Sequence, residues 1–129
     1  VLGIPKGEDC WRIGIKDPDS EGILATLKMK RGAISTSGDY EFFFEKNNIR
    51  YTHIMDPKTG YPVSKMRSVT IIAENALVAD AFSTAVFVLG KDKGIPLVES
   101  IGNIEAFIVE RNSKIYFTKG LKDILEFEK

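Results

Sequence analysis

Three side chains with distinctive chemistry occur only once each in this 129-residue sequence: Cys10, His53 and Trp11. A lone cysteine excludes an internal disulfide and a multi-cysteine zinc site. A lone histidine excludes any two-histidine metal motif. Charge of one sign is also lacking. The 18 basic and 18 acidic residues cancel, and the isoelectric point is near 6.8. The chain as a whole therefore has no general attraction for nucleic acid or anionic lipid, and no nucleic-acid partner is expected. No apolar run approaches the roughly 18 residues of a membrane-spanning helix. No Walker A sequence, dinucleotide fingerprint or HExxH is present, and no repeat or low-complexity linker divides the chain.

What remains is ordinary globular composition, 43% hydrophobic and 28% charged, which argues against disorder. One domain, or part of one, is expected over residues 1–129. Accessible surface should fall from ~21,000 Å² unfolded to ~6,800 Å² folded. Val1 stands where a methionine would open a newly made chain, which predicts that a leading segment was removed or that the sequence is a fragment.

Alternation predicts strands at 11–16 and 23–30, the latter with Ile23, Ala25, Leu27 and Met29 inward. A short strand at 33–36 follows. Residues 40–46 and 49–55 flank Asn47 and Asn48, which tolerate positive φ and suit a two-residue hairpin loop. That register sets Phe42 against His53 and Phe44 against Tyr51. Residues 56–62 read as a stiff loop and 68–73 as a strand. Asn75 can cap a helix over 76–89 that Gly90 stops. A shorter helix is expected from about Pro96. A hairpin over 105–109 and 114–118 and a terminal amphipathic helix through Leu121, Ile124 and Leu125 complete the pattern. The fold class is α+β with a largely antiparallel sheet.

Several residues could carry chemistry. The 76–89 helix is almost wholly apolar or small, which predicts burial on most sides. Asp80 and Thr84, four apart, share one face. Together they offer hard oxygen ligands suited to Mg²⁺ or Ca²⁺. Alternatively, Asp80 meets a basic side chain or backbone amides and Thr84 bonds its own helix. His53 can act as a general base near neutral pH, or be a sheet histidine with no chemical duty. Thr36, Ser37, Gly38 and Asp39 interrupt a strand with small polar residues, either to admit a ligand to the backbone or simply to turn. The aromatic residues 40, 42, 44 and 51 are core or a stacking platform. Cys10 has no activating neighbour in sequence and reads as structural.

The ordered segments Trp-Arg-Ile-Gly-Ile-Lys-Asp-Pro (11–18), Thr-Ser-Gly-Asp-Tyr-Glu (36–41), His-Ile-Met-Asp-Pro-Lys-Thr-Gly-Tyr-Pro (53–62), Ser-Val-Thr (68–70) and Ala-Asp-Ala-Phe-Ser-Thr-Ala (79–85) resemble the ApbE family of FAD:protein FMN transferases. The likeness runs from about Val1 to the end of the chain. It implies the C-terminal portion of a T-fold-like architecture, with the N-terminal half of the same fold as its structural partner. It also implies Mg²⁺-dependent cleavage of FAD, transfer of FMN to a threonine hydroxyl of an acceptor flavoprotein, and release of AMP. An FAD pyrophosphatase giving FMN and AMP, or a non-catalytic flavin-binding fragment, are the alternatives. By motif, His53 matches the residue that activates the acceptor hydroxyl, and Asp56 is the second catalytic candidate, either orienting His53 or simply holding its own turn. Thr36, Ser37, Gly38, His53 and Ile54 fall in flavin-binding segments, and Asp80 and Thr84 match a metal-binding pair. Thr52 departs from the second histidine that many relatives carry. The resemblance further implies a parent protein outside the cytoplasm, held at a membrane by an anchor that this sequence does not contain, with the cytoplasm as the other possibility.

Overall fold

The computed structural model describes residues 1–128. Its elements run β1 (Trp11–Lys16), β2 (Ile23–Met29), β3 (Ala33–Gly38), β4 (Phe43–Lys46), β5 (Ile49–Thr52), β6 (Met66–Ala73), α1 (Ala76–Leu89), α2 (Lys91–Ile101), β7 (Glu105–Glu110), β8 (Ile115–Phe117) and β9 (Leu125–Phe127). Every strand pairing is antiparallel, so the fold is α+β as expected.

Three layers follow from how these elements alternate. A sheet ordered β1-β2-β9 faces a sheet ordered β3-β6-β7-β8. Ile15, Ala25, Leu27 and Met29 from the first meet Ile72, Phe107 and Val109 from the second in one core. The other face of the larger sheet (Val69, Ile71, Ala106, Ile108) packs against Ala79, Val86 and Phe87 of α1 and Val98 of α2 in a second core. With both faces covered, β6 is buried at all eight positions, and its sequence is correspondingly rich in branched apolar residues. β4 and β5 form a separate two-stranded sheet that projects from this body.

Much of the local reading holds. Asn47 and Asn48 both take positive φ (55° and 60°), and the hairpin pairs Phe44 with Tyr51. Past its last rung the His53 amide donates to the Phe42 carbonyl at 3.1 Å, which places that pair as expected although both lie outside the strands. Asn75 caps α1 by accepting from the Val78 amide at 3.0 Å, and Gly90 ends it at φ 72°.

Other expectations are corrected. The second helix starts at Lys91, five residues before Pro96. Gly94 and Val98 are its buried residues, and a Cβ at position 94 would stand 2.7 Å from Val86 Cγ1. Close packing on α1 thus sets the start, and Pro96 is carried inside on the exposed side. The C-terminal segment is a short 3-10 turn followed by β9, not an amphipathic helix. Leu125 pairs with Leu27 and covers an otherwise open edge of β2. Ile23 is exposed rather than inward. Thr36, Ser37 and Gly38 do not break a strand; they continue β3 against Thr70, Val69 and Ser68. Finally, α1 is buried on one face only. Ala79, Ser83, Val86 and Phe87 are covered, while Leu77 is 81% exposed. That face and the projecting hairpin help raise the accessible surface to 8117 Å², above the ~6,800 Å² expected from mass.

Candidate active site

The residues singled out from sequence fall on two neighbouring structures. The first is the seam between β3 and α1. Residues 33, 35 and 37 alternate toward the helix, so Ser35 and Ser37 meet its polar positions. Ser35 Oγ donates to Asp80 Oδ1 at 3.0 Å. Ser37 Oγ lies 2.8 Å from Ser83 Oγ and 3.2 Å from Thr84 Oγ1. Ser83 also donates to the Asp80 carbonyl at 2.8 Å. Asp80 is therefore oriented by a serine hydroxyl, not by the basic partner or amides considered from sequence. Its carboxylate and Thr84 remain exposed. Thr36 points to the opposite face of the sheet, where its hydroxyl meets that of Thr70 at 2.8 Å.

Gly38 is buried, and a Cβ there would stand 2.6 Å from the Tyr40 ring. The glycine thus makes room for Tyr40, a packing role distinct from the ligand approach considered from sequence. Burial pushes the Tyr40 hydroxyl pKa up, and the carboxylates of Glu41 and Asp39 add to the effect.

The second structure is the hairpin and the loop after it. His53 is exposed at the hairpin's base, edge-on to Phe42 with ring centroids 5.6 Å apart. Its Nδ1 is 3.0 Å from the Phe42 carbonyl oxygen. A carbonyl only accepts, so in the neutral ring Nδ1 carries the proton and Nε2 the free lone pair. Asp56 serves the loop: its carboxylate accepts from the Lys58 amide at 2.8 Å, and its carbonyl accepts from the Gly60 amide at 2.8 Å. Ile54 is buried in the helix-side core.

Phe42, Phe44, Tyr51, His53, Met55 and Tyr61 line an open apolar cleft of about 470 Å³. On the hairpin's other face, Lys16, Asp19, Tyr40, Phe43, Arg50 and Arg67 line a polar one of about 600 Å³. Between the hairpin and the sheet lies a set of ions that sequence reasoning did not identify. Asp39, 0% exposed, accepts from Arg67 and Arg111 at 2.6 Å each, and Arg67 also binds Asp19. One signal was available: Arg67 is the single charged residue in the apolar strand β6, and a buried charge requires partners.

The sequence matches the ApbE family over residues 1–108. The chain belongs to this family. It is 35% identical over 113 residues to an FAD:protein FMN transferase of Haemophilus influenzae, covering 84% of this chain and 32% of that protein. The corresponding Escherichia coli transferase is 36% identical over 124 residues, with 92% and 35% covered. Among solved structures, the ApbE protein of Thermotoga maritima superposes with a TM-score of 0.87 at 43% identity, covering 98% of this chain and 41% of that one. Flavin transferase ApbE from Vibrio cholerae gives 0.78 at 29% identity, with 95% and 40% covered. The chain thus spans about a third of the length of these curated relatives.

As ApbE-family geometry, the two structures divide the chemistry. The β3–α1 seam supplies exposed hard oxygens from Asp80 and Thr84. Their character would fit a small divalent cation. Among the described residues no cluster of three or more His, Cys, Asp or Glu is placed to hold a metal by itself. The hairpin places an imidazole with a fixed tautomer beside an aromatic wall.

Proposed function

We propose that the protein to which this sequence belongs transfers FMN from FAD to a threonine hydroxyl of an acceptor flavoprotein, releasing AMP, with Mg²⁺ bound. The observation that carries the reading is the His53 tautomer. With Nδ1 donating to the Phe42 carbonyl, Nε2 is left to accept a proton, as a weakly acidic threonine hydroxyl requires. The threonine oxygen bonds to the FMN-side phosphorus as the bond to the AMP oxygen breaks. AMP leaves with that electron pair, and the threonine proton goes to Nε2.

Phosphoryl transfer depends mainly on positioning and on offsetting charge. Asp80, held by Ser35, and Thr84, held by Ser37, would hold the metal; bound Mg²⁺ supplies positive charge to the pyrophosphate. Thr36, Ser37 and Gly38 contribute the strand that carries those contacts. The cleft beside His53 has the size and apolar character of a small-molecule site, and its aromatic wall suits a planar ring. Ile54 supports that wall from the core, and Asp56 shapes the loop that closes it. The membrane-side, extracytoplasmic location implied by the resemblance belongs to this same proposal, since acceptor flavoproteins of membrane redox systems would be met there.

The test is intact-mass analysis of an acceptor protein incubated with full-length enzyme, FAD and Mg²⁺, with AMP release followed in parallel. His53→Ala should lower transfer by about 10²- to 10⁴-fold, and Asp80→Ala should lower it with a compensating rise in the Mg²⁺ needed. Transfer that survives His53→Ala unchanged would remove the proposed base. A second reading is hydrolysis of FAD to FMN and AMP, favoured by the exposure of His53 to water. Free FMN in place of protein-bound FMN would establish it.

A further inference from the structure

The buried carboxylate of Asp39 stands where three parts of the fold meet. It directly follows Ser37 and Gly38 at the end of β3. Its Oδ1 accepts from Arg67 Nη1 of β6 at 2.6 Å, and its Oδ2 accepts from Arg111 Nη2, beyond β7, at 2.6 Å. The Asp39 amide donates to the Arg67 carbonyl at 2.9 Å. Arg67 is in turn held by Asp19 at 2.7 Å and by the Pro18 carbonyl at 2.6 Å. The third cation is Arg50 of β5, whose Nη1 lies 3.9 Å from Asp39 Oδ1. Arg50 also pairs with Glu45 at 3.2 Å, and its guanidinium lies over the Phe43 ring at 4.1 Å. Three guanidinium groups thus meet three carboxylates around one buried oxygen pair.

Arg50 differs from the other two cations in what it joins. Arg67 and Arg111 tie the body to itself. Arg50 belongs to the projecting hairpin, and among the described residues it makes the only ion pair between that hairpin and the body. The β4–β5 ladder binds the two strands only to each other, and an isolated hairpin is marginal in water. Strand alternation sets Arg50 and Thr52 on the face toward the body and Tyr51 and His53 on the other. Whatever fixes the inner face therefore fixes the direction of His53. Asp39, without solvent to screen it, is a firm anchor for such a contact.

We infer that Arg50 is a positioning residue: through the buried Asp39 it fixes the attitude of the hairpin, and hence of His53, relative to the β3–α1 seam. The catalytic consequence rests on the proposed flavin transfer; the mechanical one does not. Both sides of the proposed chemistry begin next to this anchor. Ser37, two residues before Asp39, contacts Thr84, and His53 lies three residues beyond Arg50. A shift of about 1 Å between them is enough to lower a rate by 10²-fold.

Arg50→Met and Arg50→Lys test this, since Arg50 lies outside both hydrophobic cores and the body should fold in either variant. Backbone ¹⁵N relaxation on the full-length protein gives the first readout. In the native chain residues 43–52 should show rigid order parameters of about 0.85, as β6 does; in Arg50→Met they should fall below about 0.6 while β6 is unchanged. Arg50→Lys should recover part of the order. In full-length protein, Arg50→Met should lower kcat for FMN transfer by roughly 10- to 100-fold, with a smaller change in KM for FAD. Hairpin order parameters unchanged by Arg50→Met would overturn the inference, as would a mobile hairpin with unaltered kcat. If even the unmodified full-length protein transfers no FMN to any acceptor, the functional reading fails, while the relaxation comparison still decides whether Arg50 holds the hairpin.

Discussion

Strands β6 and β4 represent two kinds of structure in this molecule. All eight residues of β6 are buried between two cores, whereas all four residues of β4 are exposed. Phe87, packed under β6, is wholly covered; Phe42, at the foot of the hairpin, is 71% exposed. The stability resides in the first region, and the candidate base and the aromatic cleft lie in the second. A rigid slab supplies the reference frame and carries Asp80 and Thr84, while the candidate base sits on a part that contributes little to holding the chain folded. Such separation is common where sites must meet ligands.

The largest expected effect tests that division directly. Phe87→Ala removes a fully buried ring from the helix-side core and should cost about 3–5 kcal/mol, read as a lower urea midpoint. Phe44→Ala, on the exposed hairpin face, should cost less than about 1 kcal/mol, losing chiefly its stacked contact with Tyr51 at 4.9 Å. Equal losses would mean that the hairpin is part of the folding core and that the comparison is wrong.

Gly38→Ala probes the boundary between the two regions. The added Cβ would stand 2.6 Å from the Tyr40 ring, so the ring must swing away, at an expected cost of about 1–3 kcal/mol. Tyr40→Ala in the same chain should relieve much of that cost. A double-mutant cycle in thermal unfolding reads the coupling, and additive losses would show that Tyr40 is not what the glycine accommodates.

Loop and cap chemistry give a finer contrast. Asn75→Ala removes the side-chain oxygen that accepts the Val78 amide and should cost about 1 kcal/mol by chemical denaturation. Asn48→Gly keeps a backbone suited to φ 60° and should alter stability by only a few tenths of a kcal/mol, because asparagine already tolerates that region. A loss at position 48 comparable to that at 75 would show that the hairpin turn carries more of the fold than its exposure suggests.

These positions also show why some of the structure was legible in the sequence. Asn75 caps the amide three residues on with its side chain, and Gly90 and the Asn47–Asn48 pair act through their own backbone, so local chemistry was enough to place α1 and the hairpin. The start of α2 depends on Gly94 fitting against Val86, and β9 depends on the open edge of β2; neither contact is written into the segment it shapes. The same distinction applies to the site. The ordered motifs singled out His53, Asp80 and Thr84, but their partners came only from the fold. Ser35 reaches Asp80 across 45 residues and Asp39 reaches Arg111 across 72, and no periodicity within either segment reports such a pairing.

The smallest effect concerns the outer surface of the body, where β9 lies against β2. Glu126 accepts from Lys28 and from Arg12, and these bonds hold its carboxyl below the usual carboxylate range. Because the folded pKa is depressed, the group contributes stability that is present above the unfolded value of about 4.3 and lost as pH falls through the folded one. Glu126→Gln should therefore lower Tm slightly near neutral pH, and the two proteins should converge in acid. Added salt should shrink the neutral-pH difference, since the contact is exposed to screening ions. Stability in the slab, which comes from covered side chains, should show no such dependence: the Phe87→Ala loss should be the same at low and high salt. A Glu126→Gln difference that persists unchanged in acid would mean that β9 is held there by packing of Leu125 and Phe127 rather than by charge.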